Sequence, residues 1–145
     1  MKYLLMLLSL LCVNLMSAQK LGYELRTNGK SYFTISHKLY DNGGLELRHR
    51  TNLGENRFTY RQSFNFKNTP LTFSVPLHYK VEQHEPTLEP RLIYKLDKCK
   101  IWVQQEFWDE LHNLAVATDV PYKNYVYRLG WDTSNTIRFR ISIKI

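Results

Sequence analysis

Apolar and polar residues alternate one for one along most of this chain, most cleanly in Thr136-Ile-Arg-Phe-Arg-Ile-Ser-Ile-Lys-Ile145. Ile137, Phe139, Ile141, Ile143 and Ile145 fall on one side of an extended backbone. Arg138, Arg140, Ser142 and Lys144 fall on the other, because successive strand side chains point to opposite faces. A strand that stays apolar to its last residue needs a pairing partner, since a raw edge invites association. Closing the sheet into a barrel supplies one.

The same period recurs upstream, and helical spacing is nearly absent. Leu21, Tyr23 and Leu25 alternate with Gly22, Glu24 and Arg26, and Asn28-Gly29 is a strong hairpin signal. In 31–40, Phe33, Ile35 and Leu39 oppose Ser36 and Lys38; Asp41-Asn-Gly-Gly44 then turns into Leu45, Leu47 and His49 against Glu46, Arg48 and Arg50. Phe58, Tyr60, Phe64 and Phe66 oppose Thr59, Arg61, Ser63 and Asn65. After Asn68-Thr-Pro70, an apolar face from Leu71 to Val81 backs onto Ser74, His78, Lys80 and Glu82, with Pro76 on the polar side predicting a bulge or bend. Residues 83–87 read as a loop, before Leu88, Leu92, Tyr94 and Leu96 oppose Glu89, Arg91 and Lys95. In 101–108 the alternation is muddier, with Val103 and Phe107 on one face and Trp102 and Trp108 on the other. Residues 109–123, with Pro121 near their end, read as a loop. Tyr125, Tyr127, Leu129 and Trp131 oppose Arg128, Gly130 and Asp132. The pattern predicts an all-β fold, an up-and-down antiparallel meander without linkers or repeats.

The chain opens with Met1-Lys-Tyr and an apolar run to Val13, followed by Ser17-Ala18. That pattern predicts a signal peptide over 1–18 and a single β-barrel domain over 19–145. The run is too short to span a bilayer as a helix. Loss of 1–18 removes Lys2 and no acid, lowering the formal charge from +7 to +6. It also leaves Cys99 as the one cysteine, so no internal disulfide can form. Stability must then come from a full core or from burial in lipid. Export argues against nucleic acid as a partner of the excess positive charge.

Alternation alone fits a soluble barrel or sandwich with the apolar face inside, or a membrane barrel with that face toward lipid. Length and aromatic content favour the second. Runs of nine to eleven residues suit a tilted spanning strand, soluble strands average about five or six, and tyrosines recur near run ends, as in interfacial girdles. The chain's ending resembles the C-terminal signature of Gram-negative outer-membrane proteins, with Ile145 in place of the usual aromatic. Glu106-x-x-Asp109 followed by Tyr127-Arg-Leu-Gly-Trp131 is similar to the end of small outer-membrane barrel families, including the oligogalacturonate-specific monoporins and an uncharacterised one. The resemblance implies a transmembrane barrel in the outer membrane, with lipid and, through the last strand, the barrel-assembly machinery as partners. The alternative is a soluble periplasmic or secreted β-barrel or sandwich binding module.

Nine runs are legible, whereas single-chain bacterial barrels have even strand numbers. Eight to ten strands are expected, with 21–27 and 109–123 the places where the count can change. An oligomer in which a second chain closes the barrel is the other resolution. On this reading the turns at 41–44, 68–70, 97–100 and 132–135 all lie at one end, and 109–123 is an external loop.

None of His37, His49, His78, His84 and His112 stands at zinc-ligand spacing with another His or Cys. No serine lies near His112 with its neighbours Asp109 and Glu110, and Ser74 is ~13 Å from His78 by strand rise. No catalytic residues, metal ligands or cofactor are therefore expected. The polar face carries Arg26, Arg48, Arg50, Arg61, Lys80, Arg91, Lys95, Arg128, Arg138, Arg140 and Lys144 against Glu24, Glu46, Glu82 and Glu89. Arg48, Arg50, Arg61, Arg91, Arg128, Arg138 and Arg140 are the expected lumen-facing, anion-facing residues. They can pair with the glutamates to plug a narrow barrel, or their surplus can favour small anionic solutes in a pore.

Overall fold

The computed structural model describes residues 20–108 and 111–145, leaving out the side chains of 107, 108, 111 and 112. The leader expected over 1–18 lies outside them. The described chain is all strand and turn: β1 (Lys20–Arg26), β2 (Ser31–Tyr40), β3 (Gly43–Arg50), β4 (Asn56–Asn65), β5 (Leu71–Lys80), β6 (Glu85–Leu88), β7 (Arg91–Lys95), β8 (Lys100–Trp108), β9 (Leu111–Tyr122), β10 (Tyr125–Asp132) and β11 (Ile137–Lys144). Each pairs antiparallel with its sequence neighbour, except that β6 and β7 both pair with β5, and β11 returns to pair with β1. The sheet is a closed meander.

β6 and β7 are halves of one barrel strand. Leu77 faces Leu88 on one side of the break and Ser74 faces Arg91 on the other, an equal step on both strands. The gap falls at Pro76, which has no N–H to give to the facing Glu89. One bond survives there, from Glu89 N to Pro76 O at 3.0 Å. The bulge predicted at Pro76 therefore does not form; the ladder loses bonds and keeps its register. The irregularity lies instead between β2 and β3, at Lys38/Tyr40.

Counted this way, the barrel has ten strands, an even number. The missing one is β9, where a loop was predicted over 109–123. Alternation is real there: Leu114 and Val120 face outward, and Ala115, Ala117 and Asp119 face inward. Two of these inward residues, Ala115 and Ala117, are small rather than polar, so a polarity pattern passes over them. The tenth strand also brings the start of β1 and the end of β11 to the same end of the barrel, called here the terminal end. The turns 41–42, 66–70, 96–99 and 123–124 lie at that end. The turns 27–30, 51–55, 81–84 and 133–136 lie at the far end, so the turn of 132–135 is not with the group predicted for it. Part of the predicted loop 83–87 is strand β6.

The polarity is inside-out. Glu24, Glu46, Arg48, Thr59, His78, Glu89, Arg91, Glu106, Asp132, Arg138 and Arg140 are buried, whereas apart from glycines the buried apolar residues among those described are Pro76, Trp102, Ala115 and Ala117. Leu25, Phe33, Leu45, Phe58, Phe73, Leu77, Leu92, Ile101, Leu129, Phe139 and Ile141 are exposed all around the outside. A soluble barrel or sandwich would bury such residues, and apolar patches beyond a few hundred Å² mark interaction surfaces. A continuous apolar exterior around a closed ladder matches hydrocarbon, which accepts no unpaired backbone groups. The barrel is transmembrane. Tyr40 and Tyr60 share a hydrogen bond near the terminal end, and Tyr122 and Tyr125 flank the turn there, as amphipathic rings do at a membrane boundary.

Two outcomes are expected. Leu129→Arg, outward on β10 and 61% exposed, costs ~2–4 kcal/mol if it lies at mid-bilayer, read from urea unfolding in lipid vesicles; a water-facing position would leave stability unchanged. A Cβ on Gly130 would lie 2.8 Å from Ala117 Cβ and 3.1 Å from Val116 O. Gly130→Ala therefore destabilises by ~1–3 kcal/mol as overpacking, and Ala117→Gly in the same chain restores most of the loss.

Candidate functional site: the lumen and its ion-pair waist

Each strand that spans the barrel points every second side chain into the lumen, and in a ten-stranded barrel these side chains meet across it. Among the described residues, six carboxylates deep in the lumen each meet a guanidinium. Glu24 accepts from Arg26 Nε at 2.7 Å and from Arg48 at 3.4 Å. Glu46 lies 3.1 Å from Arg140 and 3.7 Å from Arg48. Glu106 accepts from two nitrogens of Arg138 at 2.5 and 2.6 Å, and Asp132 accepts from the same guanidinium. Asp119 receives Arg128 bidentately at 2.6 and 2.8 Å. Glu89 lies 3.5 Å from Arg57 and 2.7 Å from His78 Nε2. Gln104 ties these groups together, donating to Glu89 at 2.5 Å and to Glu106 at 3.2 Å while accepting from Arg91 Nε at 2.7 Å. Bidentate, charge-assisted contacts are the strong class of hydrogen bond.

The seven arginines singled out by alternation separate into three groups. Arg48, Arg128, Arg138 and Arg140 are paired with carboxylates deep in the lumen. Arg50 sits at the far mouth, 2.9 Å from Glu55. Arg61 and Arg91 have no carboxylate within ion-pair distance among the described residues: Arg91 bonds only the neutral Gln104 and stacks 4.3 Å from the Trp102 ring centroid, and the buried Arg61 Nε has no hydrogen-bond partner. Trp102 carries Arg128 as well, at 4.9 Å, and donates Nε1–H to Asp119 at 3.4 Å, so one indole braces two cations.

Several lumen residues escaped the alternating pattern. Arg57 precedes the aromatic run by one residue, Asp119 lay in the supposed loop, and Glu106 belonged to the muddled stretch around Trp102. Glu82, placed with the lumen acids from sequence, belongs to the turn 81–84, where its carboxylate accepts from Asn56 N at 2.8 and 2.9 Å. Lys80 lies 4.0 Å from Glu85, and Lys95 donates to Asn65 at 3.0 Å. His78 Nδ1 is 2.7 Å from Thr59 Oγ1. That contact joins hydroxyl, imidazole and the Glu89 carboxylate across three strands. With Glu89 also holding Arg57 and Gln104, the row works as packing of the lumen centre. Asp109, Glu110 and the side chain of His112 lie outside what is described.

The free space has an hourglass distribution. A cavity of about 600 Å³ at the terminal end and one of about 440 Å³ at the far end are separated by a waist with only about 20 Å³. Pockets for small ligands run ~300–1,000 Å³, whereas ~10–15 Å³ holds a single water. The waist lies among Glu46, Arg48, Glu89, Arg91, Glu106 and Arg138. Solved structures of the same shape exist. A KdgM porin matches with TM-score 0.55 and 13% identity over 87% of this chain and 96% of the porin. A KdgM porin in complex with disordered oligogalacturonate matches with TM-score 0.53 and 14% identity over the same shares. The fold is a porin-type barrel. No family model matches the chain, and no curated protein does. At such identity the porin likeness is one of fold.

Arg138 is the waist's most heavily paired cation. Arg138→Met leaves Glu106 and Asp132 as uncompensated neighbours and is expected to cost ~3–5 kcal/mol, the scale of a broken buried ion pair, measured by urea unfolding in vesicles.

Proposed function

We propose that this chain is an outer-membrane barrel that passes small anions along a narrow lumen, with the arginine–carboxylate waist closed at rest. The observation that carries this is the pair Arg61 and Arg91, cations without a carboxylate partner in a lumen where every neighbouring carboxylate is already taken. A buried charge without compensation is costly, so an anion entering the lumen lowers the energy of the barrel itself. Guanidinium groups match carboxylate and phosphate oxygens in a planar, bidentate way. The porin fold and the apolar exterior support the location. The oligogalacturonate named with one structural neighbour is an anionic saccharide, but a waist of about 20 Å³ does not admit a sugar ring unless ion pairs part. Small inorganic ions are nearest to that size. This is transport chemistry, without a covalent step.

A second reading rests on the same waist: a barrel plugged throughout, serving as a membrane scaffold. Planar-bilayer recording separates the two. Narrow conductance with a reversal potential favouring chloride over potassium is expected, and Arg91→Gln should lower that preference, since it removes a lumen cation. Complete absence of conductance would leave the plugged scaffold.

A further inference from the structure

Lys20 and Lys144 are direct partners across the seam where β1 meets β11. Like charges placed opposite each other on a sheet repel, and neither ammonium is within ion-pair distance of a carboxylate among the described residues. Both line the terminal-end cavity, and so does Arg61, whose buried Nε lacks a partner. The cavity's own acidic side chains are engaged with other cations. Glu46 is taken by Arg140 and Arg48. Asp41 is taken by Lys38 at 2.7 Å, whose hydrogen bond and charge hold the Asp41 carboxyl below its usual range. Ser36, the cross-strand partner of Lys20 on the opposite side from Lys144, and Thr59 add hydroxyls to the same wall.

We propose that the terminal-end vestibule is a binding site for a small multivalent oxoanion, held between the Lys20 and Lys144 ammonium groups at the seam and the Arg61 guanidinium on β4. Two point charges and one planar fork suit a phosphate or sulfate better than chloride. The first group donates along many directions, whereas the second fixes a pair of oxygens. At about 600 Å³ the vestibule holds such an ion with its water. Occupancy also removes the repulsion across the one strand pair that closes the barrel, so the ligand should stabilise the closed ladder. The site deepens the anion-passing reading without needing conduction, because binding in the vestibule is complete before the waist is reached.

Calorimetric titration of the refolded full chain in detergent, with inorganic phosphate at constant ionic strength set by chloride, tests the site. Saturable binding is expected, about tenfold weaker in Lys20→Ala/Lys144→Ala and likewise in Arg61→Gln, through loss of charge-assisted contacts. Phosphate should raise the unfolding midpoint of the native chain and raise that of the double variant less at the same concentration. The double variant itself should fold at least as readily, since it loses a repulsion, so weakened binding is not a folding defect. No saturable heat above the chloride background, or equal affinity in the variants, would overturn the site. Chloride preference in bilayers is read separately: it can fail while phosphate binds, which rejects the pore and keeps the site, or persist without phosphate binding, which does the reverse.

Discussion

Charge pairing at a waist too narrow for bulk water is the constraint on which this barrel depends. Arg138 illustrates it. The residue stands on β11, and its two carboxylates come from β10, Asp132, and from β8, Glu106. The first forms within the β10–β11 hairpin, whereas the second exists only when β8 to β11 are in register and the sheet has curved enough to bring β8 across the lumen. Glu46 on β3 likewise meets Arg140 on β11, across the seam. Desolvating these ions costs several kcal/mol each, and only the complete set of partners offsets it. The interior therefore favours a single register more than it adds to stability.

The exterior imposes the complementary constraint. Hydrocarbon accepts no unpaired N–H or C=O, so every strand must have two neighbours, and β1 with β11 completes the circle from Lys20↔Lys144 to Arg26↔Arg138. The place where proline breaks the ladder is instructive. Pro76 and Pro90 remove donors on facing strands, yet Glu89 N still reaches Pro76 O, and the Glu89 side chain turns inward to His78, Arg57 and Gln104. A weak point in the backbone ladder coincides with one of the most heavily bonded side chains of the lumen.

The two faces were legible from residue order because lipid and lumen differ in polarity, and polarity alternates with the pleat. Tyr23, Phe58, Leu92 and Phe139 are outside, and Glu24, Arg48, Arg91 and Arg138 inside, as that alternation requires. β9 was invisible because Ala115 and Ala117 face inward without being polar; they are small since Trp102 and Gly130 occupy the space beside them. Partnerships across the lumen were not legible at all. Which carboxylate meets which guanidinium depends on how far each strand is staggered against the next, and a linear pattern carries no stagger. For that reason Arg61 and Arg91 looked equivalent to Arg128 and Arg138 in sequence, although only the latter two hold carboxylates.

Neighbouring strands place cation against cation repeatedly: Arg26 opposite Arg138, Arg128 opposite Arg140, Arg48 opposite Arg57. A hairpin made of β10 and β11 alone carries Arg128, Arg138 and Arg140 against Asp132, and repels itself. Its relief arrives from β9 for Arg128, from β8 for Arg138 and from β3 for Arg140. Directly facing cation pairs are thus relieved by carboxylates from further strands, and for Arg140 that relief arrives only at closure, which makes partial barrels costly. Arg61, Lys20 and Lys144 are cations for which closure brings no carboxylate, and all three border the same vestibule. With Arg91 left unpaired at the waist, three of the lumen's unneutralised cations gather at the end where the first and last strands meet.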